Sequence, residues 1–98
     1  MEDRGKSFVM VNELPKIDLT TFILSISSAA YMGLGMVPGP DGSAPRVDLE
    51  MARQNIDLLE LMYEKTRGNR SPEEEKLIEQ LLFELRMKFV DKQTPQKN

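Results

Sequence analysis

Apolar positions in this chain gather into three blocks of helical spacing, set apart by short runs of Gly, Pro, Asp and Asn. The first block runs from Leu19 to about Gly35, and no charged residue occurs between Leu19 and Pro40. Asp18 or Thr20 can cap its start. Gly33, Gly35, Pro38, Gly39 and Pro40 end the helix and open a loop, with Asp41-Gly42 as a turn dipeptide and Pro45 extending the chain beyond it. The second block predicts a helix from an Asp48 N-cap to about Arg67, with Gly68 or Asn69 suited to a left-handed C-cap. The third block has the clearest start signal. Ser71 is the N-cap, Pro72 the first helical residue, and Glu74 completes a Ser-x-x-Glu capping box. Glu73, Glu74 and Glu75 also suit the positive end of the helix dipole. This helix is expected to reach about Val90. Gly68-Asn69-Arg70 is so short a connection that the second and third helices should form an antiparallel hairpin.

The faces of these helices carry more apolar residues than one neighbour requires. At ~100° per residue, helix two lines up Leu49, Ala52, Ile56, Leu59 and Tyr63, with Met51, Leu58 and Met62 on a second stripe roughly 110° away. Helix three sets Leu77, Ile78, Leu81, Leu82, Leu85 and Phe89 on a broad main face. Phe83, Met87 and Val90 fall on nearly the opposite side. Scattered apolar residues are common on surfaces, and a second contact surface is the competing reading. Helix one is apolar nearly all round, through Phe22, Ile23, Leu24, Ile26, Ala29, Ala30, Tyr31, Met32 and Leu34. Its Ser25, Ala29 and Gly33 recur every four residues, a spacing that lets two helix backbones approach closely. Three helices of this size cannot easily surround such a helix, and self-association would supply the missing cover.

The expected fold class is therefore all-α, in one domain. Residues 1–17 form a flexible or extended arm whose apolar run Phe8-Val9-Met10-Val11 would need a partner edge or groove. Residues 18–92 form the helical domain, and residues 93–98, with Pro95 and no apolar side chain, are expected to be disordered.

Composition narrows the chemistry. The 98 residues include 13 Lys+Arg and 16 Asp+Glu, a net charge of −3, which lacks the basic excess of nonspecific nucleic-acid binding. Cys, His and Trp are absent. Disulfides, thiolate nucleophiles, imidazole catalysis and Cys- or His-ligated metals are thereby excluded. The uncharged first block is long enough to raise a membrane span. Against that stand its many Ser, Thr and Gly residues and the lack of a one-sided Lys/Arg flank or interfacial Trp. The acidic residues Glu2, Asp3, Glu13 and Asp18 ahead of it are unlike the basic start of a signal peptide. A cytoplasmic protein is the expectation.

Glu50, Asp57, Glu60 and Glu64 share one face of helix two with Arg53, and such carboxylates can hold Mg²⁺ or Ca²⁺. A solvated face with an Arg53–Asp57 pair explains them as well. Gly33-Leu34-Gly35 and Gly39-Pro40-Asp41-Gly42 lack the Lys-Ser/Thr and the strand-to-helix context of a phosphate loop. Neither a catalytic constellation nor a cofactor site emerges, and Arg67 with Arg70 does not make a nucleic-acid patch.

Several separated motifs occur together in order: Thr21-Phe22-Ile23-Leu24-Ser25-Ile26 through Gly33-Leu34-Gly35, then Val37-Pro38 and Pro45-Arg46-Val47-Asp48-Leu49-Glu50-Met51-Ala52-Arg53-Gln54. Ile56-Asp57-Leu58-Leu59, Glu64-Lys65-Thr66-Arg67-Gly68-Asn69, Pro72-Glu73-Glu74-Glu75-Lys76-Leu77 and the ending Leu81 to Val90 complete the set. Over residues 20–91 the chain resembles the bacterial "domain of unknown function 1844" family. The arm Phe8-Val9-Met10-Val11 is similar to the segment that often precedes the family's helices. The long acidic, Pro-rich linker of many members is nearly missing here. The resemblance implies a small, mainly helical bacterial protein and assigns no catalytic residue, cofactor or substrate.

The expectation is thus a self-associating interaction or scaffolding module, a homo-oligomer or the partner of an unidentified protein. Its interface candidates are Ser25, Ala29 and Gly33 on helix one, Met51, Leu58 and Met62 on helix two, and Phe83, Met87 and Val90 on helix three. A small carboxylate-metal enzyme on helix two and a membrane-associated accessory subunit are the alternatives.

Overall fold

A computed structural model describes residues 16–94, and the expected arm at Phe8–Val11 and the tail from Pro95 lie outside them. Three helices account for most of the described chain: α1 (Leu19–Gly33), α2 (Leu49–Lys65) and α3 (Pro72–Gln93). Among the described residues no strand forms. A single antiparallel bridge joins Leu34 to Val47 at the two ends of the α1–α2 connection.

Local chemistry explains each boundary. Asp18 caps α1 by accepting from the Thr21 N–H at 2.8 Å. The helix ends at Gly33, two residues before the expected stop. Gly35 takes a positive φ of 73°, and the N–H groups of Gly35 and Met36 return to the carbonyls of Met32 and Tyr31. This Schellman closure needs a residue free to adopt the left-handed conformation, which glycine supplies. Asp48 caps α2 through the Met51 N–H at 3.1 Å. That helix ends at Lys65 and not near Arg67: the Arg67 N–H leaves the i−4 ladder for the Glu64 carbonyl three residues back, and the Thr66 hydroxyl donates to the Met62 carbonyl at 2.7 Å. Gly68 has the left-handed backbone of the turn, with φ 80°. At the start of α3 both arms of the capping box are made: the Glu74 N–H donates to Ser71 Oγ at 3.1 Å, and the Ser71 N–H to the Glu74 carboxylate at 2.7 Å. Nothing between Val90 and Gln93 interrupts α3, so it runs three residues past the expected end.

The helices pack around one core of Ile23, Ala30, Leu34, Ala52, Ile56, Leu59, Met62, Ile78, Leu82 and Leu85. α2 and α3 form the predicted hairpin, with Tyr63 reaching Glu79 and Glu60 reaching Arg86 across it. The end of α1 lies on the start of α2, where Asp48 N–H donates to the Gly33 carbonyl at 2.7 Å. Tyr31, near the end of α1, donates to the Glu84 carboxylate on α3.

Candidate interaction surface

The interface candidates divide sharply. Gly33 is buried within the chain: a Cβ there would lie 2.6 Å from the Ala52 nitrogen and 2.9 Å from the Asp48 carbonyl oxygen. The close backbone approach that the small-residue spacing predicts is thus made to α2 of the same chain. Ala29 is half-buried and Ser25 exposed. Met62 also turns inward and joins the core, while Met51 is half-buried and Leu58 about half exposed. On α3 the two faces part, with Leu77, Leu81 and Phe89 of the inner face only partly buried. Ile78, Leu82 and Leu85 are buried, whereas Phe83, Met87 and Val90 keep 66%, 54% and 55% of their surface exposed. Spacings of four and three residues place those three on one outward stripe.

Shallow grooves run beside this stripe. One, of about 580 Å³, is lined by Leu81, Phe83, Glu84, Met87 and Lys88 among others. Another, of about 330 Å³, lies between α2 and α3, where Ile56, Phe89 and Val90 meet the Glu60–Arg86 ion pair of 2.8 Å. Phe22, Leu24 and Leu61 are also about half exposed. Leu61 escaped the sequence reading because it belongs to neither apolar stripe of helix two. Three further apolar residues of the α1–α2 connection, Met36, Val37 and Val47, remain exposed as well.

The acidic face of α2 is divided among local partners. Asp57 lies 3.9 Å from Arg53, Glu64 2.9 Å from Arg67, and Glu60 is paired with Arg86. Among the described residues no three acidic side chains gather into a metal-ligating group. No helix of the described chain is long and apolar enough to cross a membrane.

The polar interactions that are tightly held serve the hairpin. The Arg70 side chain is 4% exposed and donates to the Tyr63 carbonyl at 2.6 Å, to Thr66 Oγ1 at 2.9 Å and to Glu75 at 2.8 Å. Its guanidinium also lies 4.3 Å from the centre of the Tyr63 ring. It satisfies one carbonyl near the end of α2 and ties that end to the first turn of α3. The hydrogen bond from Arg70 holds the Glu75 carboxyl below the usual range. Burial, then the hydrogen bond to Glu84 at 2.5 Å, pushes the Tyr31 phenol up to about 12. Its raised folded value means that the Tyr31–Glu84 contact contributes fully below pH ~10 and is lost as the phenol ionises toward 12.

A sequence model of one family, described as "Domain of unknown function (DUF1844)", matches residues 16–91, and the chain belongs to that family. No curated protein and no solved structure matches the chain.

Proposed function

We infer that this member of the family is a self-associating interaction module, and that the outward stripe of α3 is the principal contact surface. The observation that carries this reading is the exposure of Phe83, Met87 and Val90 together on one face of an otherwise well-packed helix. An isolated exposed apolar residue needs no explanation, but three in register beside grooves mark a binding face. Met87 adds an adaptable, polarizable contact.

Magnitude sets the kind of association. Burying an exposed Val-, Met- or Phe-sized side chain is worth ~1.5–3 kcal/mol when complete, so covering these partly exposed three yields roughly 2–5 kcal/mol per protomer. Two protomers then gain roughly 4–10 kcal/mol, comparable with the ~4–15 kcal/mol entropic cost of association. The face supports reversible association and not a permanent complex.

Sedimentation velocity across a concentration series tests this. The weight-average mass should rise above that of one chain with concentration, and Met87→Glu should suppress the rise while leaving helix content unchanged, because a buried unpaired carboxylate is costly and an exposed one is not. A chain that stays monomeric throughout, or an assembly indifferent to Met87→Glu, would remove α3 as the contact surface.

A further inference from the structure

Resting on the self-association reading, we propose that Met87 is a reversible oxidation site, where a peroxide turns the centre of the α3 stripe from an apolar into a polar surface and thereby weakens association. Composition directs such oxidants to methionine. The chain has no Cys and no Trp, so the thioethers of its seven Met are the side chains most open to a peroxide. Susceptibility then follows exposure, and burial grades the five methionines among the described residues. Met62 is 8% exposed in the core, Met32 and Met51 are half-buried, and Met36 and Met87 keep 42% and 54% of their surface. Met87 also lines a groove on each flank of the stripe, one with Leu81 and Glu84 and one with Arg86 and Val90, so solvent reaches it from both sides. Met36 belongs to the α1–α2 connection, which leaves Met87 as the exposed methionine among those of the three helices.

The step needs only the peroxide. A sulfur lone pair attacks one peroxide oxygen, the O–O bond breaks, and sulfoxide and water form; the sulfur gives up two electrons and the peroxide takes them. The side chain stays uncharged and grows by one oxygen atom, a strong hydrogen-bond acceptor. Phe83 and Val90, its companions on the stripe, have no side-chain donor for that oxygen. Covering the stripe then desolvates a polar atom, where before it buried a thioether at a gain. A dithiol reductant reverses the change, taking the oxygen off as water while the dithiol becomes a disulfide. Met87 lies outside the core cluster, so the helix and the fold keep their packing through the cycle.

Hydrogen peroxide, added in steps to the full chain and followed by peptide mass spectrometry and sedimentation velocity, tests this. Met36 and Met87 should be oxidised ahead of Met32, Met51 and Met62, with circular dichroism unchanged at the dose that converts Met87. That dose should weaken association about tenfold or more, since the burial of Met87 is lost from every copy in the contact. Methionine sulfoxide reductases, one for each epimer, should restore it. Three variants locate the effect. Met87→Leu keeps the stripe apolar, and should associate like the parent and ignore peroxide. Met36→Leu should remain as sensitive as the parent. Met87→Gln, polar and of similar length, should reproduce the weakening with no oxidant.

Met87 converting no faster than buried Met62 would overturn the proposal. So would an assembly whose mass still rises as before once Met87 is fully sulfoxide, a result that spares self-association and moves the contact off Met87. Peroxide sensitivity that persists in Met87→Leu would assign the effect to another methionine and overturn the proposal as well. A parent chain that stays monomeric across the concentration series, before any oxidant is added, would remove the self-association reading and the proposal with it.

Discussion

Replacing Gly33 with alanine sets two physical effects against each other, and the structure says which wins. In an ordinary helix the change gains up to ~1 kcal/mol through helix propensity. At Gly33 the new methyl would lie 2.6 Å from the Ala52 nitrogen, 2.9 Å from the Ala52 Cα and 2.9 Å from the Asp48 carbonyl oxygen. All three are backbone atoms at the start of α2, so no side-chain rotation can relieve the contact. α1 and α2 must separate where the 2.7 Å Asp48–Gly33 hydrogen bond joins them and where Leu34 is fully buried. Overpacking of this kind costs ~1–3 kcal/mol, and with only partial compensation from propensity at the last helical residue the expected net loss is ~1–2 kcal/mol. For a domain of this size that lowers the thermal midpoint by about 5–15 °C. Urea unfolding followed by circular dichroism measures it, with Ser28→Ala, exposed on the same helix, as a control expected within about 0.5 kcal/mol of the parent. The loss should not vary with protein concentration, because the contact lies within one chain. Gly33→Ala that matches or exceeds the parent in stability would refute the packing argument. Weakened self-association with an unchanged urea midpoint would instead place Gly33 against another chain.

Other expectations follow from individual contacts. Ser71→Ala removes one arm of the capping box and should cost ~1 kcal/mol in the same urea assay, with Pro72 still favouring the helix start. Ser27 is buried with its hydroxyl unpaired among the described residues, so Ser27→Ala should stabilise the fold by about 1 kcal/mol; a clear destabilisation would reveal a partner for that hydroxyl. Glu75 has a depressed folded pKa, so its contribution is present above the unfolded value near 4 and is lost as pH falls through the folded value. Arg70→Met, which removes the cause of that depression, should lower the urea midpoint at neutral pH and narrow the difference between variant and parent at pH 2–3, as read by paired denaturation curves.

Much of this architecture was legible residue by residue. The Ser71-Pro72-x-Glu74 start, the Asp18 and Asp48 caps and the Gly68 turn all satisfy backbone groups within a few residues, so the chemistry that makes them is contained in a short window. The same holds for the hairpin, since a three-residue connection leaves two helices little choice but to pack antiparallel. Separation of α3 into a buried face and the Phe83, Met87, Val90 stripe was likewise readable, because a helix of 22 residues repeats its pattern often enough to be unambiguous. The two stripes of helix two were not resolved that way. Tertiary packing turned Met62 inward and left Leu58 outside, since a helix between two neighbours buries whatever falls in the arc between them. Gly33 was placed by the same kind of decision: small-residue spacing states that a backbone can come close, and only the folded chain shows that the backbone is α2. Arg70 was the least legible. Adjacent to a turn it looks like an ordinary surface charge, yet its long side chain reaches seven residues back to the Tyr63 carbonyl and forward to Glu75, a placement that exists only once the hairpin has closed.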